Sequence, residues 1–125
     1  MYGKHEVQKV MPINSRSKGK RGELELSHVI QAKGWGARRG QQYSGGNDSP
    51  DIVSELPGNF HIECKRVEAG NLYNWLDQAT EDADPKAIPV VMHRRNDKPW
   101  VAIMDLENFF ILVKLAFERD QSNGN

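Results

Sequence analysis

The chain has 125 residues, enough for one domain with a real hydrophobic core. Its formal net charge is zero, but residues 1–40 carry nine Lys/Arg against three acids, and the remainder carries eight against fourteen. A single cysteine, Cys64, excludes an intrachain disulfide and fits a reducing cytoplasmic setting, and neither a membrane-spanning apolar run nor a signal-peptide core is present.

Charge segregation of this kind fits a polyanion partner, and equally a solvated basic tail. In chain order, residues 1–16 read as a basic flexible leader and 17–118 as a single domain. Residues 119–125 read as a flexible tail. A helix is expected from Ser17, its N-cap, to Lys33, with Gly34 as its stop. Its apolar stripe is Leu26, Val29 and Ile30. Glu23 falls on that stripe and Glu25 on another side. An acid facing inward is costly unless a metal or another cation compensates it.

"GARRGQQYSGGNDS", 36–49, reads as a short strand and then a glycine-rich polar loop. Asp51–Ser54 is the next short strand, and "ELPGN" a turn. "FHIECKRV", 60–67, alternates, with Phe60, Ile62 and Cys64 on one face and His61, Glu63 and Lys65 on the other. Leu72, Trp75, Leu76, Ala79 and Ala83 form the apolar stripe of a helix capped by Asn71. Strands at 87–94 and 99–105 flank a turn at Asn96-Asp97-Lys98. A last helix follows Asp105, apolar on two sides: Leu106, Phe109, Phe110, Val113 and Phe117 on one, and Ile111, Leu112 and Leu115 on the other. Such a helix is either deeply buried or covered by a partner. This order predicts an α/β fold with a mixed central β-sheet flanked by helices.

Glu63 and Lys65 share a strand face roughly 7 Å apart. Asp51 opens the neighbouring strand, and an odd-sized turn or bulge near Pro57-Gly58 would set it beside Glu63. With Glu23, three carboxylates and one lysine would meet at one sheet edge. Hard divalent cations take such oxygen ligands, and a lysine beside them can orient an attacking water, which suits phosphodiester hydrolysis. Scattered histidines and one cysteine do not suit zinc. Taken singly, Glu63-x-Lys65 is also an ordinary strand ion pair and Pro50-Asp51 an ordinary turn opener.

"PD" at 50–51 followed by "ECK" at 63–65 resembles the PD-(D/E)xK nuclease superfamily, whose αβββαβ restriction-endonuclease-like core matches the expected order. Within it, "KRGELELSHVIQAKGW", "PDIV" and "HIECKR" are similar to archaeal-type (Hjc-like) Holliday junction resolvases and their phage-encoded relatives, over roughly residues 17–104. The resemblance implies catalytic roles for Glu23, Asp51, Glu63 and Lys65. It implies a metal site of Glu23, Asp51, Glu63 and the backbone carbonyl of Cys64. The implied metal is Mg2+, with Mn2+ able to substitute. It further implies a homodimer that nicks opposed strands of a four-way DNA junction, in the host cytoplasm if phage-encoded. Lys18, Lys20, Arg21, Arg38 and Arg39 are the expected DNA contacts, the first three otherwise a solubilising cluster. Gln78 is an accessory candidate, or simply a polar residue bordering the Trp75/Ala79 stripe. Arg94 and Arg95 either touch DNA or serve nothing, Tyr43 either stacks on a base or packs, and His61 belongs at the site's margin. The long loop at 40–49 departs from the archaeal pattern and leaves junction selectivity open, so a general or restriction-like nuclease is a second reading. A third is a non-catalytic nucleic-acid-binding module whose acids form a vestigial or structural cluster.

Overall fold

A computed structural model describes residues 19–40 and 50–123, with side chains through residue 118. The expected leader, the Ser17 cap, Lys18 and Tyr43 lie outside the described residues. Helix α1 covers residues 19–32 and ends at Gly34, whose φ of 104° only glycine adopts readily. There follow β1 (Ala37–Arg39), β2 (Ile52–Ser54), β3 (Phe60–Arg66), α2 (Leu72–Asp82), β4 (Ile88–Arg94), β5 (Val101–Ile103) and α3 (Leu106–Asn123). The Asn71 side chain accepts from Asn74 N at 3.0 Å, forming the expected cap, and Asp105 Oδ1 accepts from Glu107 N at 2.8 Å and caps the last helix. α3 continues to Asn123, through residues expected to be tail. Glu118-Arg119-Asp120-Gln121 contains no helix breaker, and the first glycine is Gly124.

The five strands make one mixed sheet in the order β1-β2-β3-β4-β5. Only β3 and β4 run parallel, from Phe60↔Ile88 to Arg66↔Arg94, and the other neighbours are antiparallel. α2 makes the crossover between the two parallel strands, as a parallel connection requires. The main core lies on one face of the sheet, where Leu26 and Ile30 of α1 meet Ile52, Ile62 and Val90. α2 covers the opposite face of β3 and β4 and buries Ala79. Covered on both sides, β3 cannot keep the clean polar face that its alternation predicts, and His61 is only 4 % exposed.

β2 and β3 are joined by residues 55–59, an odd-sized connection in which Gly58 and Asn59 take positive φ. This sets Ile52 opposite Ile62. One residue before β2, Asp51 still bonds to Ile62 through its backbone N, and its carboxyl interacts with that of Glu63.

Candidate functional site

Asp51 stands one residue before β2, where the chain leaves the ladder. Its backbone N donates to Ile62 O at 2.9 Å, and its Oδ2 accepts from Cys64 N at 2.9 Å. The carboxylate therefore takes the place that the next strand residue would fill. In an extended strand the N–H and C=O of one residue point to the same side. The Cys64 carbonyl thus faces Asp51's side of β3, beyond the end of β2. Gly40 closes the rim: its N donates to Asp51 O at 2.7 Å, and a side chain there would run into the Pro50 carbonyl.

Burial first, and then the charge and hydrogen bond of Glu63, push the Asp51 carboxyl up to about 7. Glu23 adds to the rise, and the Cys64 N–H opposes it. Two acids share one place and compete for a proton, as carboxylates do where a cation belongs. Among the described residues, no three His, Cys, Asp or Glu side chains form a ready-made metal cage. Asp51, Glu63 and the Cys64 carbonyl nonetheless fit a hard cation, which takes one or two carboxylates and completes its shell with water and phosphate oxygens. The Cys64 thiol is no soft ligand. Burial, followed by the nearby Asp51, Glu23 and Glu25, pushes it up to about 12, so it stays protonated.

Glu23 also has a cation of the chain itself as partner. Its Oε1 lies 2.9 Å from Arg39 Nε, so its inward charge is compensated by β1. The same bond engages the Arg39 head that was expected on DNA. Arg38 is exposed, with its Nη1 3.4 Å from Arg39 O. Lys20 and Arg21 are exposed on α1, and Gln78 is exposed on α2. Lys65 shares the Glu63 face of β3 and is half-buried.

His61 lies closer to this chemistry than expected. Its Nε2 is 2.8 Å from Glu63 Oε1. The signal was present in the sequence, because His61 alternates with Glu63 just as Lys65 does. Glu25 is the second departure. The side of α1 it occupies faces the ends of β3 and β4, where Glu25 accepts from Arg94 Nη1 at 2.6 Å, Trp100 Nε1 at 3.1 Å and Arg66 Nε at 3.3 Å. Burial pulls its carboxyl upward, but Arg94 and Arg66 outweigh it and hold it below its usual range. Arg94, also bonded to Lys98 O at 2.7 Å, is a structural cation.

A protein-family profile described as "Phage putative PDDEXK endonuclease" matches residues 14–121, nearly the whole chain. No curated protein and no solved structure matches the chain significantly.

Proposed function

Because this chain belongs to the phage PD-(D/E)xK endonuclease family, we propose that it is a magnesium-dependent endodeoxyribonuclease that resolves four-way DNA junctions as a homodimer. Asp51, Glu63 and the Cys64 carbonyl hold the metal, with Mn2+ as a substitute. Glu23, moored to Arg39, adds negative charge beside them. The bound cation supplies Lewis-acid stabilisation of charge developing on the phosphate. Lys65 orients the attacking water from the same strand face and offsets phosphate charge. Lys18, Lys20, Arg21 and Arg38 approach the DNA backbone. The observation that carries this reading is the Asp51 carboxylate on Cys64 N, in interaction with the Glu63 carboxyl just before β2.

The test is cleavage of a four-way junction and of a matched duplex in magnesium, by wild type, Asp51→Asn and Lys65→Ala. Wild type cuts the junction in preference, and both variants lose cutting by at least about a hundredfold while keeping DNA binding. Equal cutting of the duplex reassigns the protein to a general or restriction-like nuclease. Loss of all metal-dependent cutting in wild type leaves a nucleic-acid-binding module.

A further inference from the structure

α3 is the largest feature that the proposed chemistry leaves unused. Among the described residues, none of the five strands nor α2 packs extensively against it. Leu106 is 63 % exposed, Phe110 52 % and Phe117 62 %, with Phe109 and Val113 also open to solvent. These five side chains leave on the order of 500 Å² of apolar surface bare per chain. A patch of this size is large for a monomer's surface and often functional, and twice that area reaches the roughly 1,000 Å² at which a specific interface begins.

We propose that α3 pairs with α3 of a second copy of this chain, antiparallel across a two-fold axis. Leu106, Phe110, Val113 and Phe117 recur at intervals of four, three and four residues, the seam of a two-helix coil. An antiparallel two-fold sets Leu106 against the partner's Phe117 and Phe110 against the partner's Val113, so large and small side chains alternate along the seam. Phe109 flanks one edge of this seam. Glu107 and Lys114 flank the other, one heptad apart. Antiparallel pairing brings that edge onto its own reverse, and Glu107 of each copy meets the partner's Lys114. Parallel pairing would set Lys114 against the apolar Phe109 edge and forfeit both ion pairs. Charge therefore selects the direction, and the apolar seam supplies the association. This pairing rests on the homodimer of the proposed function and names its interface; nuclease chemistry and junction preference are read separately, in the cleavage assay.

Sedimentation velocity of the full chain tests it, with circular dichroism confirming that each variant stays folded. Wild type sediments as a dimer at micromolar concentration, and Phe110→Glu as a folded monomer. Glu107→Lys alone and Lys114→Glu alone each weaken the dimer about tenfold or more, because each replaces two attractions by two repulsions. The double reversal Glu107→Lys/Lys114→Glu restores it. A monomeric wild type overturns the proposal. So does a dimer indifferent to both single reversals, or one broken by Ile111→Glu on the opposite side of α3 but not by Phe110→Glu.

Discussion

Asp51 is held in a place that favours its neutral form in the metal-free protein. Its carboxyl stands at about 7 against an ordinary value of 3.8, chiefly through burial and then through Glu63. A group whose folded pKa exceeds its unfolded one stabilises the fold while protonated. That contribution is whole below about pH 4 and is lost as pH rises through about 7, amounting to roughly 2–4 kcal/mol. Denaturation of the metal-free chain between pH 4 and 8 is expected to show this loss. Asp51→Asn should flatten the profile and be the more stable protein at pH 8, and identical profiles would remove Asp51 as the cause. Magnesium should restore wild-type stability at pH 8, because the cation takes the proton's place. His61 bears on the same pair from the other side. With an ionised carboxylate as partner the His61 ring donates through Nε2, and the bond holds the Glu63 carboxylate's orientation. His61→Ala is expected to raise the magnesium concentration for half-maximal cleavage about tenfold. Glutamine carries an N–H donor at similar reach, so His61→Gln should recover most of it. Equal shifts in the two variants would assign His61 to packing alone.

At the scale of elements, the first turns of α1 lie directly on the end of β3, and Gly22 makes that approach possible. A methyl added there would sit 2.5 Å from Arg66 Cβ, an atom too near the backbone to swing away. Helix propensity alone would make Gly22→Ala stabilising by about 1 kcal/mol. The clash reverses the sign, and thermal denaturation is expected to show a loss of roughly 1–3 kcal/mol with cleavage reduced as Glu23 shifts. A stabilised Gly22→Ala would mean that α1 does not seat so closely. Alternation gave β3 and the helical stripes gave α1 and α2, while the turn at 55–59 allowed Asp51 to come beside Glu63 without requiring it. Partners were harder to read. A helical angle says which way Glu25 points but not that Arg66, Arg94 and Trp100, between 41 and 75 residues away, wait there. The inward Glu23 signalled a cation, but nothing in the sequence singled out Arg39 as one it meets. For His61, alternation implied a solvated face because nothing in β3 itself reveals that α2 covers it.

The whole molecule is neutral by formal charge yet electrically divided, and the fold sharpens that division. The two described acids of the basic third, Glu23 and Glu25, are bound to Arg39 and to Arg66 and Arg94. Lys20 and Arg21, two and three residues after Lys18, remain exposed at the start of α1. A phosphate backbone would therefore meet cations from the first helical turn while the acids of the site repel it until a cation is bound. Cations that grip phosphates displace condensed counterions, so their contribution is read in salt dependence rather than in affinity at one ionic strength. Asp51→Asn provides a background on which DNA is bound without being cut. Adding Lys18→Gln, Lys20→Gln and Arg21→Gln to it is expected to make the slope of log affinity against log salt shallower by about 2–3, near one for each phosphate no longer neutralised. Junction and duplex should be weakened alike, since backbone contacts carry no sequence information and little of the branch. An unchanged slope would make these residues a solubilising cluster and move the DNA footprint elsewhere. A weakening confined to the junction would place them at the branch itself.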